Sequence, residues 1–263
     1  MTSSFHGRTI GALSVGSNKK YKSNIGPVPG KVKFCKFNDV SHLKKLVNKK
    51  TVAIIIEFVQ GDGGINICSK NFAKAIKGIC KNKKILLIGD EIQGGIGRTG
   101  KIFAYKHYGV NPDIITSAKG LGSGIPIGAT IVKKYISKII STGFHGSTFG
   151  GGMLQTRVSY NVFKTINTKR FLNKVLINGN LLSSLIKKMH HLHKDKIVDT
   201  RCLGLMAGVE FKNNQIALKT YEKMSKNGLI STLIQGNIIR LTPPLTVSTG
   251  EIRKAIKIIT QSL

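Results

Sequence analysis

Between residues 50 and 132 the chain alternates short, β-branched apolar runs with stretches whose apolar residues recur at helical spacing. VAIIIE (52–57) precedes a helix-length amphipathic segment near 70–82, which leads to ILLIG (85–89), a loop, DIITSA (113–118) and IGATIVK (127–133). Strand-like runs separated in this way predict an α/β fold with a largely parallel sheet and crossover helices. Beyond residue 165 the texture changes. A long helical stretch near 171–194 is followed by LMAGVEF, a helix near 214–227, GLIST, NIIRL and a terminal helix from 249. That order predicts a smaller α+β unit. At 263 residues the chain is near the size at which one hydrophobic core divides. The expected division is a partial large domain over 1–165 and a small carboxyl-terminal domain over 166–263, with no internal repeat.

Two chemistry-bearing residues follow predicted strands. Asp90 ends ILLIGD, and Lys119 follows DIITSA in the glycine-rich AKGLGSGIPIGA. If both runs are parallel strands, these side chains emerge at the carboxyl edge of one sheet, where open α/β folds bind ligands. A lysine opposite a carboxylate suits pyridoxal phosphate, which needs an amine for its aldehyde and an anion beside its ring nitrogen. A plainer reading makes Asp90 and Glu91 caps of a following turn. Gly120, Gly122, Gly124 and Gly128 after Lys119 permit close approach of backbone to a ligand. Gly95, Gly97 and Gly100 spell G-x-G-x-x-G, but they begin five residues after the strand ends, and the following KIFAYKHYGV is too short for a phosphate-binding helix. HGSTFGGG (145–152) offers hydroxyls and flexible N–H groups that suit a phosphate. Arg8 and Arg240 are candidate carboxylate clamps, while His6 and His145 receive no role.

The formal charge of +31 would suit a polyanion partner, yet only seven of the 42 basic residues are arginine and the lysines are scattered along the chain. Specific nucleic-acid readers cluster their basic residues and favour arginine at base contacts, so no specific nucleic acid is expected. Cys35, Cys68, Cys80 and Cys202 lack paired spacing, which indicates neither a metal site nor a disulfide framework. No run of 18 apolar residues occurs, and MTSSFHGRT lacks the regions of a signal peptide, so a cytoplasmic protein without membrane association is expected.

Taken in order, SFHGRTIGALSVGSNKKY, IIIEFVQGDGG, LLIGDEIQGGIGRTGK, PDIITSAKGLGSGIPIGA and HGSTFGG resemble the class III pyridoxal-phosphate-dependent aminotransferases. RCLGLMAGVEF and IIRLTPPLTVS extend the likeness toward the carboxyl terminus. The resemblance implies the fold type I architecture of PLP-dependent transferases and pyridoxal 5'-phosphate as cofactor. Lys119 would bond the cofactor aldehyde and shuttle a proton, Asp90 would pair with the ring nitrogen, and Gln93 would hydrogen-bond the ring hydroxyl. Phe5 and Ile92 would press on opposite ring faces. Ser147 and Thr148 would reach the phosphate of a neighbouring subunit's cofactor, which implies a homodimer. Arg8 would bind the α-carboxylate of glutamate or 2-oxoglutarate, and Arg240 would pair with Asp62. Within the family the likeness is greatest to members that transfer the terminal amino group of N-acetylornithine to 2-oxoglutarate, a step of arginine biosynthesis. Ornithine, succinylornithine and 4-aminobutyrate are alternative donors, and a non-catalytic remnant is an alternative reading. Asp62 stands where the family usually has Glu, Phe58 where it has proline, Gly89 where it has a bulky residue, and Gly152-Met153 where it has Asn-Pro. The family's amino-terminal third, which precedes FHGRT and carries the glycine-rich phosphate cradle, has no counterpart in these residues. That leaves room for a separately encoded amino-terminal piece as partner.

Overall fold

The amino-terminal half builds its sheet from the β-branched runs. A computed structural model describes residues 1–263. It begins with α1 (Ile10–Val15), α2 (Val40–Leu46), β1 (Ala53–Glu57), β2 (Val59–Gln60), β3 (Asn66–Ile67), α3 (Lys70–Lys83), β4 (Leu86–Asp90), β5 (Ile114–Ser117), β6 (Ala129–Val132) and α4 (Lys134–Ser137). The main sheet has the order β1-β4-β5-β6, with β1, β4 and β5 parallel. Ile, Leu and Val suit such strands because a parallel sheet is covered on both faces. The crossover helix α3 starts at Ser69, whose side chain accepts from Phe72 N–H, and it buries Phe72, Ala73, Ile76 and Cys80. Those side chains join Ile54, Ile56, Leu87 and Ile115 in one core.

β6 departs from the parallel pattern. It pairs with β5 antiparallel, Ser117 opposite Ala129. Between them lies only a single 3₁₀ turn, Lys119–Leu121, too little chain for a crossover helix. The consequence for chemistry is direct, because this tight return carries Lys119. Glu57, Asp90 and Ser117 end the three parallel strands at one edge, with Glu57 opposite Asp90 and Asp90 opposite Thr116.

The remaining elements are α5 (Met153–Ile166), α6 (Lys169–Leu192), β7 (Ile197–Leu203), β8 (Met206–Phe211), α7 (Asn214–Lys226), β9 (Thr232–Ile234), β10 (Ile238–Leu241) and α8 (Thr249–Ser262). They form a second, wholly antiparallel sheet, β7-β8-β10-β9. α6 and α8 pack on each other, and their Val175, Ile186, Ile252 and Ile256 join Val209, Phe211 and Ile239 in a separate core. Phe171 and Leu245 touch both cores. The strand expected at GLIST lies later, at Thr232–Ile234, because Gly228 (φ +81°) ends α7 with a turn. No helix is long and apolar enough to cross a membrane.

One close approach joins the two halves. A Cβ on Gly179, inside α6, would stand 2.5 Å from Gly204 O, and one on Gly204 (φ +58°) would stand 2.5 Å from Thr99 C. Alanine is the better helix former, yet Gly179→Ala should destabilise the chain by about 1–3 kcal/mol, because backbone has to shift to admit the methyl. Urea denaturation measures this, and a stability equal to wild type would contradict the tight crossing.

Candidate active site

The carboxyl edge of the parallel strands opens on a cavity of about 720 Å³ whose lining includes Ile92, Gln93, Arg98, Lys119, Arg240 and Thr242. Ile92 and Gln93 come from the loop after β4, Lys119 from the turn after β5, and Arg240 from β10 of the second sheet. The cavity is thus walled by both halves of the molecule. Lys119 adopts φ +46°, a left-handed conformation that a non-glycine residue holds only when its surroundings enforce it. Its ammonium opens into the cavity. Desolvation, and then the neighbouring Arg240 cation, lower its pKa from the ordinary lysine value, opposed by Asp90, Asp62 and Glu57. A lowered pKa makes the free amine, the nucleophilic form, more accessible.

Asp90 does not line that cavity. It is buried, its Oδ1 accepting from Ile92 N–H at 3.0 Å and its Oδ2 lying 2.6 Å from His6 Nδ1. The contact with Ile92 is the turn-capping bond of the plainer reading. Glu91 turns the other way and accepts from Ala104 and Tyr105 N–H at 2.7 and 2.9 Å. Burial pushes its pKa up to about 7 in spite of those bonds.

Arg240 Nη1 lies 3.4 Å from Asp62 Oδ1, 3.4 Å from Gln93 Oε1 and 3.3 Å from Gly61 O. None of these contacts is short, and Arg240 Nε is buried without a partner. Asp62 itself lines a second, polar cavity of about 230 Å³ with Phe5, Tyr21 and Gln235. Phe5 lines this second cavity, its ring edge-on to Tyr21 at 5.9 Å. The exposed Arg8 stacks its guanidinium over Tyr21 at 3.8 Å and lines neither cavity. Ser147 and Thr148 sit on an exposed loop and also line neither. Of the glycines in the G-x-G-x-x-G string only Gly95 lines the first cavity; Gly97 and Gly100 take φ +80° and +84°, and a Cβ on Gly100 would lie 2.3 Å from Leu176 Cδ2.

Three groups of the site had no signal in the sequence pattern. His6 reaches Asp90 across 84 residues. Arg98 donates from Nη1 to Leu205 O at 3.1 Å and to Pro243 O at 2.5 Å, and burial lowers its pKa to about 10. Glu57, buried at the end of β1, accepts from Phe5 N–H at 3.0 Å. Burial, reinforced by the nearby Asp90, raises the Glu57 pKa from 4.5 to about 8. The unfolded carboxyl loses its proton above 4.5 and the folded one above about 8, so the folded chain holds the extra proton in between and this contribution to stability falls as pH rises. Glu57→Gln keeps the acceptor and removes the titration. Its thermal midpoint should decline less than that of wild type across this window, and an unchanged decline would contradict a protonated Glu57.

The Aminotransferase class-III family model matches residues 1–263, and the chain belongs to that family. It is 38% identical over 265 residues to ornithine aminotransferase 1 of Staphylococcus saprophyticus, covering 100% of this chain and 66% of that protein. To acetylornithine aminotransferase of Methanocaldococcus jannaschii it is 40% identical over 256 residues, covering 96% of this chain and 63% of that protein. Among solved structures, ornithine aminotransferase from Toxoplasma gondii ME49 superimposes with a TM-score of 0.94 at 30% identity, over 99% of this chain and 63% of that one. The chain thus spans somewhat under two thirds of the length of these relatives. Another structure of the Toxoplasma gondii enzyme records partial occupancy of PLP at its active site. The fold is that of the type I PLP-dependent transferases, here a mainly parallel sheet with a separate antiparallel one.

Proposed function

We propose that this chain carries the catalytic residues of a pyridoxal-phosphate-dependent aminotransferase that moves the terminal amino group of N-acetylornithine to 2-oxoglutarate. The observation that carries the reading is the pairing of Lys119, in an enforced left-handed turn, with the buried Asp90 one strand away. The donor set fits the cofactor. A buried carboxylate with an imidazole at 2.6 Å and no guanidinium or ammonium partner has room for a further cation, and an amine with a lowered pKa opens into the adjoining cavity. When bound, pyridoxal 5'-phosphate supplies an aldehyde and an electron-withdrawing ring that acidifies the carbon bearing the amino group. Asp90 would hold the ring nitrogen, Gln93 the ring hydroxyl, and Ile92 and Phe5 the ring faces. Lys119 Nζ would bond the aldehyde, then take and return the proton at the carbon bearing the amino group. Arg8 and Arg240 would bind substrate carboxylates, with Asp62 neutralising Arg240 when no carboxylate is there. Because the amino group is stored on the protein between two half-reactions, the kinetics should be ping-pong.

The exposed loop of Ser147 and Thr148, which lines neither cavity of its own chain, favours service to a second copy and hence a homodimer. The division into a partial large domain (1–165) and a small one (166–263) accords with two separate cores. Ornithine is a second candidate donor, favoured by the Staphylococcus saprophyticus relative. The test supplies the full chain with pyridoxal phosphate and 2-oxoglutarate and follows glutamate formed from each donor. Glutamate from N-acetylornithine in preference to ornithine is expected. Preference for ornithine or 4-aminobutyrate would overturn the substrate, and no exchange with any donor would overturn the activity.

A further inference from the structure

Arg98 stands at the seam between the two halves, and its contacts across that seam go to two chain reversals of the second sheet. Nη1 donates to Leu205 O at 3.1 Å, in the turn between β7 and β8, and to Pro243 O at 2.5 Å, three residues beyond Arg240. The carbonyl of Arg98 accepts from Leu205 N–H at 3.0 Å, so Leu205 is held through both of its backbone polar groups. Arg98 makes no ion pair. A cation withdrawn from water without an anion is costly, and the two carbonyl dipoles offset that cost. Withdrawal of either turn would leave the charge unpaired, so the guanidinium resists movement of both.

The first half holds Arg98 from its own side. Arg98 N–H donates to Gly95 O at 3.2 Å and Gly100 N–H to Gly97 O at 2.9 Å, so the residue sits in consecutive hydrogen-bonded turns. Thr99, fully buried beside it, has its carbonyl 3.0 Å from His107 Nε2. The contacts that Arg240 itself makes with the first half are long by comparison, 3.3 Å to Gly61 O and 3.4 Å to Asp62 Oδ1 and Gln93 Oε1. They do not by themselves decide where its guanidinium stands. Thr242, Pro244 and Leu245, which flank Pro243, line the same cavity as Lys119. The Arg98–Pro243 contact therefore grips the segment that runs directly on from Arg240.

Resting on the reading of Arg240 as a carboxylate clamp, we propose that Arg98 is a positioning residue for the substrate carboxylate: its guanidinium fixes the second sheet against the first half so that Arg240 stands over the cavity that Lys119 enters. Asp90, Gln93 and Lys119 all belong to the first half, so capture of pyridoxal phosphate does not depend on this lock. The carboxylate end of the substrate does. Loosening the lock should raise the KM for 2-oxoglutarate by roughly ten- to a hundredfold, since a misplacement of about 1 Å costs up to about 10²-fold.

The experiment has two arms on the full chain, with Arg98→Gln, Arg98→Met and Arg98→Lys, and thermal melting to establish that each is folded. Arg98→Met fills the space of the stem and removes the charge that needs the carbonyls, so it serves if Arg98→Gln does not fold. In the first arm, without cofactor, hydrogen exchange followed by mass spectrometry should be faster than wild type at the peptide carrying Leu205 in the glutamine and methionine variants, and unchanged in β1 and β4. Equal exchange at Leu205 would overturn the lock. In the second arm, turnover is followed against 2-oxoglutarate concentration, and pyridoxal phosphate is titrated by absorbance. KM should rise with kcat and cofactor affinity little changed, and Arg98→Lys, which keeps a charged donor, should recover most of the wild-type KM. An unchanged KM, or a loss of cofactor affinity as large as the rise in KM, would overturn the positioning role and leave the aminotransferase reading intact. A wild-type chain that protects Leu205 but neither binds pyridoxal phosphate nor transfers an amino group would overturn the aminotransferase reading, and the role of Arg98 in it, while the lock between the halves stands.

Discussion

Lys119→Ala should lose transamination by on the order of 10⁴-fold, the upper range for a positioned proton-transfer group, while the protein stays folded. The side chain opens into a cavity, and no hydrogen bond of its own side chain ties it to the surrounding structure, so its removal leaves the cores untouched. The strain at φ +46° belongs to the backbone and persists in alanine. Loss of activity together with an unchanged melting temperature is the expected pair of results. Turnover within a few-fold of wild type would remove Lys119 from the chemistry, because no other amine stands in the same wall of the cavity.

Asp90→Asn should lower turnover by on the order of 10²–10³-fold, the cost of removing one preorganised electrostatic group, and should weaken retention of pyridoxal phosphate in parallel. Asparagine preserves the shape and can still accept from Ile92 N–H, but its Nδ2 amide then stands where Oδ2 met His6 Nδ1, so the change removes the charge and alters the His6 contact together. Asp90→Ala goes further. It leaves His6 Nδ1 without an acceptor in a site that already buries Nε2 unpartnered, and it should cost about 1–3 kcal/mol of stability in addition. Steady-state kinetics with cofactor titration checks the first effect and urea denaturation the second. An asparagine variant indistinguishable from wild type in both would show that the ring nitrogen is held elsewhere.

Much of the scaffold could be read from residue types alone. The β-branched runs that became β1, β4 and β5, and the Ser69-capped amphipathic α3 between them, obey local rules of strand and helix formation. Asp90 and Lys119 could be placed at one sheet edge because each follows such a run. The direction of β6 was not legible, since it depends on how little helix the chain between Ser117 and Ala129 forms. α5 was not among the expected helices; it buries Ser159 and Ile166 and packs Val162 and Phe163 on the first core. β7, IVDTRCL, reads as polar because Asp199 and Arg201 face outward, where Arg201 pairs with Glu210.

The site divides along the same line. Asp90 and Lys119, each following its own strand run, were visible, whereas His6, Glu57 and Arg98 were not. His6 and Glu57 acquire meaning only when the amino-terminal segment lies across β1 and β4, and Arg98 only when the second sheet presents Leu205 O and Pro243 O to it. Phe5 lines a neighbouring polar cavity with Tyr21 and Asp62, and Arg8 stacks over Tyr21.

The central claim is that Lys119 captures pyridoxal phosphate beside Asp90. The most direct measurement incubates the full chain with the cofactor, reduces with borohydride, digests, and maps the label by mass spectrometry. A single label on the peptide carrying Lys119, absent from Lys119→Ala, is the predicted result. Label spread over many of the chain's surface lysines, or equal label in the variant, would contradict it.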